Sequence, residues 1–301
     1  MQISYDYYRI FYHVAHYRSF TRAAQVLFSN QPNITRAVKN LEAALGCTLL
    51  IRSNRGVQLT DEGKRLYEHI SIAIKHIQRG EEELALSRSL GSGIVSIGAS
   101  ETALHCLLLP VLRQYKSVHP GVQIKVSNHS TPQALTALKN GIVDIAVVTT
   151  PLDASDNMRQ TAVKTFREAA VCGSAFLHLA GREVSLAELA DYPMICLGHE
   201  TKTHEFYSKF FAEHGLTLRA DIEAATADQI LPMVKNDLGI GFVPEEFIRN
   251  EKDQSSVIVI SLQEKIPPRH ISLVKCSDRS LSPAARALEQ MILACSTNEN
   301  I

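Results

Sequence analysis

The sequence lacks any excess of charge of one sign: 31 Lys and Arg are balanced by 31 Asp and Glu over 301 residues. That balance excludes a protein that holds polyanions by bulk charge alone, and it puts the weight on positioned groups. Cysteine is sparse. The six residues (47, 106, 172, 196, 276 and 295) include no C-x-x-C pair and no neighbouring His at ligand spacing, which argues against structural zinc and against a disulfide framework. No stretch approaches the roughly eighteen consecutive apolar residues of a membrane span. The N-terminus has no basic head followed by an apolar run, so a cytoplasmic protein with no membrane partner is expected. The catalytic patterns G-x-S-x-G, H-E-x-x-H, the Walker loop and the glycine-rich dinucleotide fingerprint are all missing. Gly239-Ile240-Gly241 lacks the third glycine, and pairs such as His199-Glu200 and His204-Glu205 read as surface residues. No enzyme, no metal and no cofactor is expected.

What the chain does have is an uneven distribution of its charge. Residues 1–80 hold eleven Lys/Arg against five Asp/Glu, an excess of six that the remainder cancels. Within that basic region, Ser19 to Gly46 reads as two amphipathic helices joined by a turn at Phe28-Ser29-Asn30. Ser19 or Thr21 can cap the first, whose Ala23, Ala24 and Leu27 form an apolar stripe. Asn30 can cap the second, and Pro32 falls in its first turn, where a missing N–H costs nothing. The second helix is expected to bury Ile34, Val38, Leu41 and Leu45. Its other face carries Gln31, Asn33, Thr35, Arg36, Lys39 and Asn40, with a single acid, Glu42. A solvated helix mixes Glu with Lys, whereas an Asn/Gln/Thr/Arg face suits reading base edges in a major groove.

The next residues extend that reading. Cys47–Arg52 and Val57–Thr60 are β-prone runs linked by Ser53-Asn54-Arg55-Gly56, a hairpin whose Arg55 can reach a minor groove. Tyr7, Ile10, Phe11, Val14 and Ala15 give an upstream helix with one buried face. Three helices and a wing make a winged helix-turn-helix. Thr60-Asp61-Glu62-Gly63 then opens a long helix in which Leu66, Ile70, Ala73, Ile77, Gly80 and Leu84 form a heptad seam suited to dimerisation. Leu90-Gly91-Ser92-Gly93 breaks it.

These residues resemble the LysR-type transcriptional regulators. The resemblance rests on Phe11, Val14-Ala15, Ser19-Phe20-Thr21-Arg22-Ala23-Ala24, Gln31-Pro32, Thr35-Arg36, Leu41-Glu42, Leu45-Gly46, Leu49, Arg52 and Leu59-Thr60-Asp61-Glu62-Gly63. Arg18 stands where the family usually has Gly, Asn33 where a small residue or Pro is usual, and Leu50-Ile51 where Phe-Glu is common. Asn33 bears on which bases are read.

From Ile94 strands alternate with helices. Strands are expected at Ile94–Gly98, Val122–Ser127, Asp144–Val148, Ala169–Cys172, Met194–Leu197, Ile222–Ala225, Gly241–Pro244 and His270–Lys275. Helices are expected at Thr102–His119, with Pro110 kinking it, and at Pro132–Asn140, Glu205–His214, Asp228–Asn236 and Pro283–Cys295. Ligands of such folds sit beyond the carboxyl ends of strands, against helix N-termini. Ser100-Glu101-Thr102, Ser130-Thr131-Pro132-Gln133, Thr201-Lys202-Thr203 and Thr226-Ala227-Asp228-Gln229 each end a strand and open a helix with hydroxyl groups, the second and fourth as capping boxes. With the resemblance, Ser100, Thr102, Thr131, Thr149, Thr201, Lys202 and Thr203 are expected to line an effector cleft. Lys202 is the only cation among these loops and would favour an anion, with Glu101 opposing it unless turned to solvent.

The fold class expected is α/β: a winged helix-turn-helix at 1–62, a linker helix at 63–90, and an effector-binding domain at 91–301 resembling type 2 periplasmic binding proteins. Its two subdomains are 91–163 with 268–301, and 164–267. The function expected is a sequence-specific transcription regulator modulated by a small-molecule effector. Its partners would be double-stranded DNA carrying an inverted repeat, a second copy or a tetramer of itself, and RNA polymerase. Ser19, Thr21, Arg22 and Lys39 are expected on phosphates, Gln31, Pro32, Asn33, Thr35 and Arg36 at the major groove, and Arg55 in the minor groove. The alternatives are a small-molecule binding protein with no regulatory role and a thiol-based redox sensor using Cys172 and Cys196.

Overall fold

Ser, Asn and Thr residues ahead of apolar-periodic stretches fix where the helices of this chain begin. A computed structural model describes residues 3–53, 56–86, 93–249, 251 and 256–295, with side chains undescribed at 52, 53, 79 and 82–86. The chain divides into two compact units, Met1–Ala85 and Leu86–Ile301.

In the first unit α1 (Tyr5–Tyr17), α2 (Phe20–Val26) and α3 (Gln31–Leu45) are followed by the hairpin of β1 (Leu50–Ser53) and β2 (Gly56–Leu59), then by α4 (Asp61–Leu86). Ser4, Ser19 and Asn30 each accept a backbone N–H at the first turn of the helix they open. Ser19, not Thr21, therefore caps α2. Phe11, Val14, Ala23, Ile34, Val38, Leu41, Leu49 and Val57 form the core; burying side chains of this size stabilises by about 1.5–3 kcal/mol each for the larger ones. Leu45, expected in the core, is 38% exposed, and Ala37 is buried instead. The buried stripe of α3 ends at Leu41 because Gly46 caps the helix at a φ of 70° and turns the chain away after Leu45. Arg18, the C-cap of α1, has a φ of 50°. That left-handed conformation explains why the LysR pattern favours Gly at this position. The Arg18 carbonyl accepts the Val57 N–H at 3.0 Å, tying the end of α1 to β2.

The second unit holds two sheets. In the five-stranded sheet the order is β4 (Val122–Asn128), β3 (Gly93–Ala99), β5 (Ile145–Thr149), β13 (Arg269–Cys276), β6 (Met158–Phe166). β3 is parallel to both neighbours and β13 is antiparallel to both of its own. The six-stranded sheet runs β10 (Ile222–Ala224), β9 (Met194–Leu197), β11 (Ile240–Pro244), β7 (Glu168–Cys172), β12 (Ile258–Leu262), β8 (Glu183–Val184). The chain passes from the first sheet to the second at Arg167 and returns between Leu262 and Arg269. β5 is buried at every position, as a covered central strand requires. The edge strand β6 escapes a sequence reading because most of its residues are exposed.

The helices of this unit are α5 (Glu101–Ala103), α6 (Leu109–Val118), α7 (Thr131–Lys139), α8 (Leu186–Leu189), α9 (Lys202–Glu213), α10 (Ile230–Lys235), α11 (Glu245–Arg249) and α12 (Pro283–Ala294). α5 and α6 are two ends of one helix joined by a π-turn at Leu104–Leu108, where the Leu109 N–H reaches back to the Leu104 carbonyl. Pro110 accounts for this: it has no N–H for the usual bond and its ring crowds the preceding turn, so the helix widens rather than kinks. The core of the five-stranded sheet gathers Val95, Ile97, Leu108, Tyr115, Ile145, Val147, Ile271 and Leu288. That of the six-stranded sheet gathers Cys172, Leu179, Phe210, Phe211 and Ile240. No helix among the described residues is long and apolar enough to cross a membrane.

Candidate nucleic-acid interface and ligand cleft

α3 presents Gln31, Pro32, Asn33, Arg36 and Lys39 exposed on one side, with Thr35 half-buried between them. Thr21 and Arg22 on α2 are exposed and Ser19 is half-buried. The Thr21 hydroxyl donates to Gln31 Oε1 at 3.4 Å, linking α2 to the first turn of α3. Ser19 uses its side-chain oxygen on the Arg22 N–H at 3.2 Å, so its hydroxyl serves the helix start. Asn40 reaches the Tyr7 hydroxyl at 3.2 Å and belongs to the packing of α1 on α3. Arg55 lies outside the described residues.

Glu42, the one acid of α3's polar positions, does not share this surface. Its Oε1 accepts the Leu49 and Leu50 N–H groups at 2.8 and 3.1 Å, fastening the wing to the helix. The exposed surface formed by Gln31, Pro32, Asn33, Arg36 and Lys39 is therefore free of carboxylate. Sequence reasoning missed Phe28, at the turn before α3; it is 99% exposed at a φ of 49°. A bulky residue in that backbone conformation is rare, and here it holds an apolar ring out to solvent in the turn before α3. The signal was available: Phe28 breaks the polar composition of the turn.

In the second unit a cleft lies between the ends of the two sheets. Ser100, Thr102, Thr131 and Thr149 line one wall and Thr201, Lys202 and Thr203 the other, around a cavity of about 50 Å³. All seven expected residues meet there. The cleft also receives Glu101, Asn128, His129 and Thr226. Ser100 caps α5 through the Ala103 N–H, and Thr201 caps α9 through the His204 N–H. Gln133 Oε1 accepts the Ser130 N–H at 3.0 Å. The second expected capping box does not form: Gln229 Oε1 accepts from Ala225 at 3.0 Å, and a 3-10 turn at Ala227–Gln229 precedes α10.

Charge in the cleft differs from the sequence expectation. Lys202 Nζ sits 2.6 Å from Asp153 and 2.5 Å from Glu205, and these two carboxylates hold its pKa above the usual lysine value. Glu101 does not turn to solvent; its carboxylate takes His105 Nε2 at 2.8 Å and Asn128 Nδ2 at 2.6 Å.

Behind the cleft lies a residue that sequence reasoning missed. Arg269 is 2% exposed. It donates to Thr149 Oγ1 at 3.1 Å, Thr203 Oγ1 at 3.0 Å, the Thr150 carbonyl at 2.7 Å and Glu168 Oε1 at 2.9 Å. Its guanidinium lies 4.9 Å from the Phe206 ring centroid. Tyr207 donates to the other Glu168 oxygen. Burial first, and then the Glu168 charge, push the Tyr207 hydroxyl well above its usual pKa, which keeps it a donor. Glu168 opens the strand on which the chain enters the six-stranded sheet, and Arg269 the strand on which it returns to the five-stranded one. The clue was an ionisable residue in register with the buried Ile271 and Leu273 of β13.

Three buried thiols, Cys106, Cys172 and Cys196, are poorly placed for thiolate chemistry. Burial pushes Cys106 up to about 12, and it pushes Cys172 and Cys196 to about 11, with nearby acids adding to each. At pH 8 the thiolate fraction of these three is then about one in a thousand or less. Native alkylation with iodoacetamide, read by peptide mass spectrometry, is expected to label Cys47 and Cys295, both half-buried, and to spare Cys106, Cys172 and Cys196. Rapid labelling of Cys172 or Cys196 would restore the thiol-sensing alternative. Among the described residues no group of three or more His, Cys, Asp or Glu is placed to hold a metal ion.

Comparison with known proteins agrees with both halves. The model for bacterial regulatory helix-turn-helix proteins of the lysR family matches residues 5–64, and that for the LysR substrate binding domain matches residues 88–295. An uncharacterized HTH-type transcriptional regulator of Bacillus subtilis, YwbI, is 32% identical over 92% of this chain and 91% of its own length. The RuBisCO operon transcriptional regulator of Allochromatium vinosum is 24% identical over 98% of this chain and 97% of its own. Among solved structures, the LysR family regulator CbnR has a TM-score of 0.77 at 16% identity, covering 98% of this chain and 99% of that one. CbnR complexed with its target DNA scores 0.76 at 17% identity, over 98% and 100%.

Proposed function

The chain belongs to the LysR family of DNA-binding transcriptional regulators, and from that premise we propose how its own residues divide the work. Residues 1–62 bind DNA, 63–90 pair two copies, and 91–301 bind the effector. In the last part, 91–163 with 268–301 and 164–267 form the two cleft walls. The observation that carries the DNA reading is the surface of α3, which exposes Gln31, Asn33 and Arg36 while its acid, Glu42, is spent on the wing. Gln31, Asn33, Thr35 and Arg36, with Pro32 shaping the first turn, meet base edges. Thr21, Arg22 and Lys39 meet phosphates, Ser19 sets the helix that carries them, and Arg55 enters the minor groove. CbnR, a fold neighbour, has been solved on its target DNA, and the same use of the winged unit is carried to this chain.

Ala73 and Ile77, on the heptad seam of α4, are exposed in the single chain, with Ile77 at 42%. A second copy covers them, placing two winged units about a two-fold axis over an inverted repeat; dimers or tetramers then act on RNA polymerase. The protein works in the cytoplasm and catalyses no reaction. A small effector carrying a carboxylate enters the cleft lined by Ser100, Thr102, Thr131, Thr149, Thr201, Lys202 and Thr203 and shifts the population of closed molecules.

Genome-wide selection of fragments bound by the purified protein, at near-physiological salt, tests this. One enriched inverted repeat is expected; no enrichment over competitor DNA by folded oligomer overturns the reading. On that site Arg36→Ala is expected to weaken binding by about 1–3 kcal/mol and to relax preference at one base pair per half-site. A uniform loss on all sequences would move Arg36 to the phosphates.

A further inference from the structure

We infer that the ligand of the cleft is a zwitterion, an amino carboxylate whose ammonium group meets Glu101 and whose carboxylate meets Thr102 and the facing helix starts. This rests on the cleft being the effector site, and it departs from the simple anion that Lys202 suggests in the sequence.

The charges that face the cleft carry the inference. Lys202 is bridged between Asp153 and Glu205, with its side chain only 17% exposed. Its charge is met twice before any ligand arrives. Glu101 lines the opposite wall with its side chain 12% exposed, and its two oxygens take Asn128, which is neutral, and His105. A carboxylate offers about four acceptor positions, so these two partners leave capacity for a further donor. Arg269 behind the wall is matched by Glu168. The remaining titratable lining group is His129. Glu101 and Lys202 are thus the charged lining groups of opposite sign, and the Lys202 ammonium is already paired from outside the lining by Asp153 and Glu205, so a ligand carrying only negative charge would meet Glu101 without a compensating unpaired ammonium.

The cleft is nonetheless built to take a carboxylate. Thr102 is 7% exposed, its hydroxyl has no hydrogen bond within the described residues, and it lines the space. The leading N–H groups of the helix that begins at Glu101 and of α9 point their positive ends into the same space from both walls. A purely cationic ligand would leave those donors unused. Opposite charges a few bonds apart satisfy Glu101 and the donors next to it together. The small volume, with Leu197, Ala225 and Ala227 as the apolar residues of a mostly hydroxyl-bearing lining, favours a compact molecule.

Isothermal titration calorimetry of the full-length protein against the twenty proteinogenic amino acids, and against the 2-hydroxy acids that replace each amine by a hydroxyl, tests this. At least one amino acid is expected to bind, with its hydroxy acid at least tenfold weaker. Glu101→Gln, checked for an unchanged melting curve, is expected to cost the amino acid at least tenfold and leave the hydroxy acid unaffected. Glu101→Asp, with shorter reach, is expected to fall between. Thr102→Val is expected to weaken both ligands. A hydroxy acid that binds as tightly as its amino acid, or an E101Q protein indifferent to the exchange, overturns the zwitterion while a T102V loss keeps the cleft site. Binding that ignores Thr102 as well removes the ligand from the cleft and overturns both readings. Heat from none of the amino acids overturns the zwitterion alone if a carboxylic acid still binds in a T102V-sensitive way.

Discussion

Arg269→Met is expected to lower the stability of the second unit by about 3–5 kcal/mol, the loss typical of leaving a buried carboxylate without its partner. Glu168 is buried, with its side chain 4% exposed, and of its hydrogen-bond partners it would keep the Tyr207 hydroxyl. Thr149 and Thr203 would lose their shared donor at the same time. For a unit of this size each kcal/mol moves the melting temperature by about 2–4 °C, so a drop of roughly 10 °C in the second unit's calorimetric transition is expected. The winged unit's transition should stay in place. Arg269→Lys keeps the charge but not the fork of donors, and it should recover part of the loss. The double variant R269M/E168Q should recover more, because no uncompensated charge remains. A loss below about 1 kcal/mol in R269M would mean that the pair is solvated and merely packed.

Physics also gives this residue a place in the response. Arg269 touches Thr149 on one wall and Thr203 on the other, and its ion pair with Glu168 ties together the two places where the chain changes sheets. A ligand that draws the walls together must act on the same hydroxyls that Arg269 holds. The R269M protein should therefore lose the dependence of DNA affinity on ligand more completely than it loses DNA affinity itself.

How much of this was legible in the sequence depends on the range of the interaction. Helix starts were legible, because Ser19, Asn30, Ser100 and Thr201 satisfy backbone groups within three residues of themselves. The seven cleft residues were legible as a set, because six lie where a strand gives way to a helix and Thr149 ends a buried central strand, and the alternation of strands and helices fixes where those ends gather. Charge was not. Lys202 read as a free cation until Asp153, some fifty positions earlier, came to lie beside it. Glu42 read as a stray acid on a binding face until Leu49 and Leu50 folded back onto it. Arg269 and Glu168 are 101 positions apart and meet only through the arrangement of two sheets. Local patterns record caps and periodicity; they do not record which distant group neutralises a charge.

Gly63 shows the same limit from the side of packing, and its substitution should have the other large effect. A Cβ built on Gly63 would stand 2.1 Å from the Leu49 carbonyl oxygen and 3.1 Å from Leu59 Cδ2. The carbonyl cannot yield, since it accepts the Thr60 N–H at 3.0 Å and the Thr60 hydroxyl at 3.2 Å, while Glu42 holds the Leu49 N–H. Thr60 in turn caps α4 through the Gly63 N–H at 2.9 Å. Gly63→Ala must therefore lift the start of α4 off the wing or rotate the Leu49 peptide and break those bonds. The cost is expected at about 3 kcal/mol, the upper part of the range for forced overpacking, in a unit of some 85 residues that has little stability to spare. Calorimetry should show the winged unit's transition lowered or lost and the second unit's unchanged. Operator binding should fall with the folded fraction of the winged unit, while ligand binding in the cleft persists. Full operator affinity in G63A would mean that the wing and α4 separate without harm, and the contact between Leu49 and the start of α4 would then have no part in holding the recognition helix.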